Sequence, residues 1–379
     1  MQPRPQSGTL PAMDQALDLL KRCATPAGFL AALDRRANYP RIWSRDGCIC
    51  GLAALACGDP ELVAALGKTL TTLGRHQGPS GQIPSNVTLD GQQISYGGKA
   101  GRVDATSWYI LALCLYGRLA EGDELVAASW TTLERACEAL RAWEYNDLGL
   151  VYVPVGGDWA DEYVLSGYLL YDQVLRLWAL RELDAAAERL GRTAGHERDH
   201  LADLITERFA PIQGSAGPAF FCAGFHPGAR FSPFDAFGNA LCCLLGVGSE
   251  QDRLASLRHA QQISRFDLVP AFHPAIEPDA PAYQALKLAA GGPFRNSPGR
   301  YHNGGLWPMI TGFWALAARQ LGRVELADRW TAGIKEANQQ ASWGFHEYLD
   351  ANSGEPGGAR QQAWSAAAEI IATASGLVD

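Results

Sequence analysis

The chain has 379 residues, 47% of them apolar, 19% charged, and a formal net charge of −8. That length allows two or three domains or one large barrel, and the apolar share suffices for a deep core. An acidic balance without a run of Lys and Arg argues against a nucleic-acid partner, and no uninterrupted apolar stretch is long enough to span a bilayer.

Residues 1–12 (MQPRPQSGTLPA) read as a flexible arm without the apolar core of a secretion signal, so a cytoplasmic location is expected. The nine cysteines then read as reduced, with Cys57, Cys114, Cys242 and Cys243 as small core residues. Cys48 and Cys50 form a lone CxC with no second pair at zinc spacing. From the N-terminus, amphipathic helical patterns occur in DQALDLLKRC, GDPELVAALGKTLTTLGRH, DELVAASWTTLERACEALRAW and LDAAAERLGRTAGHERDHLADLITERF. Alternating with them are helices apolar on nearly every side, hence buried: DGCICGLAALAC, ATSWYILALCLYGRLA, EYVLSGYLLYDQVLRLWAL, DAFGNALCCLLGV, GGLWPMITGFWALAARQL and QAWSAAAEIIATA. No run of strands stands out, although GGDWADEY and VYVPV allow short extended pieces.

Each buried pattern follows a polar or aromatic cluster that holds Asp46, Asp104, Asp161, Asp235, Asn303 or Gln361. The gaps between them average 63 residues, which is also one sixth of the chain. Six helical hairpins closing on themselves form an all-α (α/α)6 barrel, a single domain over residues 1–379, with the inner helices starting at one end. An open α-solenoid is the alternative. It gives no reason to gather Trp, Asp and Gly at every inner-helix start.

The loops at that end are YPRIWSRDG (39–47), GQIPSNV (81–87), GGKAGRVDATSW (97–108), GGDWADEY (156–163), RYHNGGLWP (300–308) and FHEYLDANSGEPGG (345–358), the last running into ARQQAWS. Carboxylates and amides bind hydroxyl groups, and aromatic faces stack on pyranose rings, so the mixture suits a sugar. Hydrolysis of a glycoside needs two carboxyl groups flanking the bond. Asp46, Asp104, Asp158, Asp161, Glu162, Asp235, Glu347 and Asp350 are available. Asp46, Asp104 and Asp235 also read as helix caps or ion-pair partners. Asp158, Asp161 and Glu162 crowd beside Trp159, and such crowding raises the affinity of one carboxylate for a proton. GGKAGR lacks the spacing of a phosphate loop, and there is no GxSxG nucleophile elbow.

RYHNGGLWP followed by FHEYLDANSGEPGGARQQAWS resembles the neutral/alkaline invertase family of (α/α)6 glycoside hydrolases. WSRDG, GRVDATSW and FDAFGNALCCLLG extend the resemblance over roughly residues 39–372. YHNGGLWP alone is similar to a segment of glycogen-debranching glucosidases as well. The resemblance implies Asp161 as general acid, because Trp159-Ala160-Asp161 matches the family's acid segment at the start of an inner helix, and Glu347 as base. It departs where the family's Asp-Arg-Arg is Asp161-Glu162-Tyr163 and where His346 replaces a proline.

The expected activity is inverting, exo-acting hydrolysis of a small oligosaccharide or sugar glycoside, sucrose first and an α-glucoside of the debranching or glucoamylase type second. Substrate contacts are expected from Trp43, Arg45, Asp46, Gln82, Asn86, Arg102, Asp104, Asp158, Trp159, Tyr301, His302, Asn303, Trp307, Gln361 and Trp364. No metal or organic cofactor is expected, since proton transfer and a positioned water suffice. A homo-oligomer is allowed. The rivals are a sugar epimerase on the same barrel, with His226 and His346 as its bases, and a non-catalytic sugar-binding barrel.

Overall fold

A computed structural model describes residues 12–35, 38–98, 100–193, 200–211 and 219–378. The first eleven residues of the expected arm lie outside the described residues, and its twelfth, Ala12, already begins a helix. In chain order the helices are α1 (Ala12–Cys23), α2 (Ser44–Cys57), α3 (Pro60–Arg75), α4 (Val103–Leu119) and α5 (Asp123–Ala128). Next come α6 (Trp130–Ala142), α7 (Leu170–Leu190), α8 (Leu201–Phe209), α9 (Ala236–Leu244) and α10 (Glu250–Ile263). The last are α11 (Pro281–Ala289), α12 (Pro308–Gln320), α13 (Val324–Trp343) and α14 (Ala363–Ile371).

Packing follows the apolar patterns. Helix α2 packs on α4, α4 on α7, α7 on α9, α9 on α12, α12 on α14, and α14 returns to α2. The ring of six buried helices therefore closes, and the fold is an (α/α)6 barrel. Helices α1, α3, α6, α8, α10 and α13 pack outside it, each on one or two inner helices. Cys48 and Cys50 lie fully buried on α2, whereas Cys57, expected in the core, is exposed at the end of that helix.

Outer helices α3 and α10 open with side-chain caps, Asp59 accepting from the Glu61 and Leu62 amides and Ser249 forming a capping box with Asp252. Among the described residues of the inner helices, only α9 has a side-chain cap, with Asp235 accepting from the Phe237 and Gly238 amides. The others have no side-chain cap among the described residues, and their N-terminal dipoles favour negative charge at one end of the barrel.

Two expectations change at this end. The buried pattern beginning at Glu162 does not start a helix there. Val153 bridges Gly167, Tyr168–Leu169 is a strand, and α7 starts at Leu170. Asp161 thus lies in a turn eight residues ahead of Leu169. Strands also occur. Cys222–His226 and Ala229–Asp235 form a hairpin, extended by Tyr168–Leu169 on one side and Phe272–His273 on the other. Pro227-Gly228 makes its turn, with Gly228 at φ +95. Among the described residues no helix is long and apolar enough to cross a membrane.

Candidate active site

The floor of the site is a polar chain across neighbouring inner helices. Arg45 of α2 pairs with Asp104 of α4 at 2.7 Å, their side chains 10% and 1% exposed. Tyr171 of α7 donates to Asp104 at 3.1 Å and accepts from Trp108 Nε1 at 2.7 Å. On the other side, Gln362 Nε2 at the start of α14 donates to Asp46 Oδ1 at 2.9 Å. Burial pushes the Asp46 carboxyl up to about 6 against the pull of Arg45.

Beneath this chain lie more carboxyls than cations. Burial, reinforced by the charges of Asp104 and Asp235, pushes Asp158 up to about 8, although Arg45 and Arg102 oppose it. Burial lifts Asp235 to about 7 despite its two cap bonds. Asp172 goes well above the ordinary carboxylate range, from burial and then from Asp158, Asp104 and Asp235. Both of its oxygens are buried without a hydrogen-bond partner among the described residues. Asp172 stands in the first turn of α7, as Asp46 and Asp104 stand in α2 and α4. It, and not Asp161, is the acid that heads the third inner helix.

An aromatic wall rises beside the floor. Trp159 stacks on Phe272 and meets Trp307 and His302 edge-on, with centroids 5.4 and 5.2 Å away. His302 is stacked between Tyr301, at 3.9 Å, and Trp307, at 5.6 Å. Burial and the nearby arginines hold His302 well below the usual imidazole range, so the ring is neutral. Trp364 meets Trp307 edge-on and lies under the Arg45 guanidinium. Arg45 Nε, Arg102 Nε, Trp159 Nε1, Trp364 Nε1, His302 Nδ1 and Gln82 Oε1 are buried polar atoms without a protein partner among the described residues. Hydroxyl groups would satisfy such a set.

At the rim, Arg102 donates to Asp161 Oδ2 and to the Gly156 carbonyl. The Asp161 side chain is 31% exposed, unlike the buried Asp158. Glu347 Oε1 accepts from the Tyr39 hydroxyl at 2.9 Å, and Oε2 from the Ala359 amide at 3.2 Å. Burial raises Glu347 to about 7, and Arg295, Tyr39 and Ala359 restrain the rise. The Tyr301 phenol lies in the field of both Asp161 and Glu347, which add to burial in driving it well above its ordinary value. Arg295 covers the Tyr301 ring at 3.8 Å and pairs with Glu162 at 2.8 Å.

Several expected contacts are taken up elsewhere. The Asn303 amide donates to the Ile276 and Asn296 carbonyls and accepts from the Ile276 amide, so it ties loops together. Gln361 has φ 51 and donates to the Trp343 carbonyl; the next residue, Gln362, faces Asp46. Asn86 accepts from Arg41, Trp43 donates to the Asn38 carbonyl, and Asp350 pairs with Arg300 at 2.6 Å. His226 sits at the tip of the hairpin against Phe231, while His346 is buried beside Gly344. Tyr39, Asp172, Arg295 and Gln362 were not singled out from the sequence. Tyr39 and Gln362 lay inside segments marked for their composition, YPRIWSRDG and ARQQAWS. Among the described residues no group of three or more His, Cys, Asp and Glu is arranged to hold a metal ion.

Comparison with known proteins places this geometry. The family model described as the mannosylglycerate hydrolase MGH1-like glycoside hydrolase domain matches residues 174–365. Alkaline/neutral invertase C, mitochondrial, of Arabidopsis thaliana is 25% identical over 92% of this chain. The aligned part is 64% of that relative's length, so the chain spans less than two thirds of it. Probable alkaline/neutral invertase D of the same plant is 23% identical over 96% of this chain and 82% of its own. The structure of a GH63 mannosylglycerate hydrolase from Thermus thermophilus in complex with Tris superposes with a TM-score of 0.71. It is 16% identical, with 95% of this chain and 99% of that one covered. The closed ring of inner helices and the family match over half of the sequence lead to one assignment: the chain belongs to the mannosylglycerate hydrolase MGH1-like family of glycoside hydrolases.

Proposed function

We propose that the protein is an inverting, exo-acting hydrolase of small glycosides, with Asp161 as general acid and Glu347 as general base. The observation that carries this reading is that both carboxyls are held at the rim by hydrogen bonds, Asp161 by Arg102 and Glu347 by Tyr39, beside the Arg295 guanidinium that covers the Tyr301 ring. Asp161 gives a proton to the glycosidic oxygen as the bond to the anomeric carbon breaks. Arg102, which pairs with Asp161 in the structure, holds the resulting carboxylate. Glu347, kept available as a carboxylate by Tyr39, Ala359 and Arg295, takes a proton from the water that attacks the opposite face. Arg45, Asp46, Asp104 and Gln362 bind the hydroxyls of the non-reducing sugar, and Trp159, Trp307 and Trp364 bound its ring. Asp158 is buried among other carboxyls and largely neutral near pH 7, so it is assigned to the floor and not to the acid's role.

Sucrose is the first substrate to test and an α-glucoside the second. A glycoside with a carboxylate aglycone, as in mannosylglycerate, is a further reading. It is favoured by the family match and by the 37% exposed Arg295 side chain beside Tyr301. Proton NMR of sucrose, maltose, trehalose and mannosylglycerate incubated with the protein tests the proposal. Release of a free sugar with its anomeric configuration inverted supports it. Retained configuration, epimerisation without cleavage, or saturable binding without turnover refutes it.

A further inference from the structure

A second cleft, of about 730 Å³, opens on the outside of the RYHNGG loop, between the end of α10, the Phe272–His273 strand and residues 298–304 and 351–352. None of the residues proposed for catalysis lines it. Its polar lining includes Gln262, Arg265, His273 and Glu277, whose side chains make no hydrogen bond or ion pair among the described residues.

Next to Arg265 the chain does something costly. Phe266 and Asp267 both have left-handed backbones, at φ 50 and 51, in a tight turn closed by reciprocal Arg265 and Leu268 hydrogen bonds. Gly and Asn suit such a turn, and a bulky aromatic residue does not. The Phe266 ring gains no core packing in return, because the residue is 55% exposed. Three contacts hold the turn in place. Arg329 of α13 pairs with Asp267 at 3.3 Å. Gly333 of α13 lets the turn approach so closely that a Cβ there would lie 2.4 Å from the Asp267 carbonyl oxygen. Gly354, itself at φ +74, underlies the Phe266 ring, and a Cβ there would come within 3.2 Å of it. Phe266 does not itself line the cleft; it follows Arg265, which does, and its ring rests over Gly354, two residues beyond the lining Asn352, with much of its surface in solvent.

We propose that this cleft is a non-catalytic binding site for a neutral oligosaccharide, with Phe266 as the stacking platform and Arg265, Gln262 and Glu277 as partners for hydroxyl groups. The lining includes one cation, Arg265, and one carboxylate, Glu277, that make no ion pair among the described residues, so the lining carries both signs of charge. A polyol uses both. An exposed aromatic face next in sequence to a lining residue, with hydrogen-bonding side chains in the lining, matches the alternating C–H face and hydroxyl rim of a pyranose.

The test is calorimetric titration of the Glu347→Gln protein, which should not turn substrate over, with maltoheptaose and cellopentaose in excess glucose to occupy the catalytic pocket. Binding of either oligosaccharide that weakens roughly tenfold in Phe266→Ala and in Arg265→Ala supports the site. Phe266→Gly relieves the backbone strain, so it should lose the same binding while melting no lower than the parent. That result separates the platform from a folding role. In otherwise unaltered protein, Phe266→Ala should leave kcat/KM for a disaccharide unchanged. Glucose-insensitive binding that survives both substitutions, or no such binding of either oligosaccharide, overturns the proposal. Neither outcome depends on which glycoside is cleaved.

Discussion

Tyr39→Phe removes one hydroxyl from the base and keeps the ring. In the structure that hydroxyl donates to Glu347 Oε1 at 2.9 Å, one of two direct hydrogen bonds that favour the carboxylate, the other coming from Ala359. A hydrogen bond to a charged group is worth ~1.5–3 kcal/mol, and one pKa unit corresponds to about 1.4 kcal/mol. Tyr39 is only partly buried, so water replaces part of the loss, and the Glu347 pKa should rise by about one unit from its value of about 7. A base must be ionised, so activity rises with pH on the acidic limb, and the variant's limb should move upward. Near pH 7 the ionised fraction would fall from about half to about a tenth, a roughly fivefold loss of kcat/KM that alkaline buffer restores. The assay is kcat/KM against pH for both proteins on the cleaved glycoside. An unmoved acidic limb, or a loss equal at every pH, would refute the argument.

Three further outcomes follow from the buried charges and the close packing. The raised carboxyls bind protons more tightly when folded, so the stability they give is complete below pH ~4 and is lost as pH rises through their folded values, about 7 for Asp235 and about 8 for Asp158. The melting temperature should therefore fall between weakly acidic and weakly alkaline buffer, and Asp172→Asn should flatten that fall, measured by calorimetry; an equal slope in both proteins counts against it. Arg45→Met strands the buried Asp104 and should lower unfolding free energy by ~3–5 kcal/mol in urea titration. Gly358 has φ +73, and a Cβ there would lie 2.2 Å from Glu347 Oε2. Gly358→Ala should therefore displace the base and reduce kcat by about 10²-fold, with fold retained by circular dichroism.

The closed barrel was legible because burial on every side of a helix is written in composition, and six such helices recur at even spacing. The loops that carry the site were legible for the same reason. Finer placement was not. Val164 and Leu165 continue an apolar run, so the helix seemed to begin at Glu162, but the bridge from Val153 to Gly167 holds that stretch extended. The missed signal was Asp172, at nearly the same offset from its helix start as Asp46 and Asp104. Gln361 and Gln362 are chemically identical in sequence, and only the left-handed backbone at Gln361 decides which one faces Asp46. Asn303 looked like a sugar ligand because its type is right, yet its amide is spent on Ile276 and Asn296. Arg295 reaches Tyr301 through a long loop without periodicity, and no local pattern encodes that closure. The Phe-rich stretch around Pro227-Gly228 carried a turn signal for the hairpin.

The central claim is the division of labour between Asp161 and Glu347, and hydrolysis of paired substrates by Asp161→Asn and Glu347→Gln tests it most directly. Each variant should lose ~10²–10⁴ in rate on the natural glycoside with binding largely kept. On the matching glycosyl fluoride, whose leaving group needs less protonation, Asp161→Asn should recover much of its rate and Glu347→Gln should not. Full activity of either variant on the natural glycoside, or equal recovery of both on the fluoride, would contradict the account.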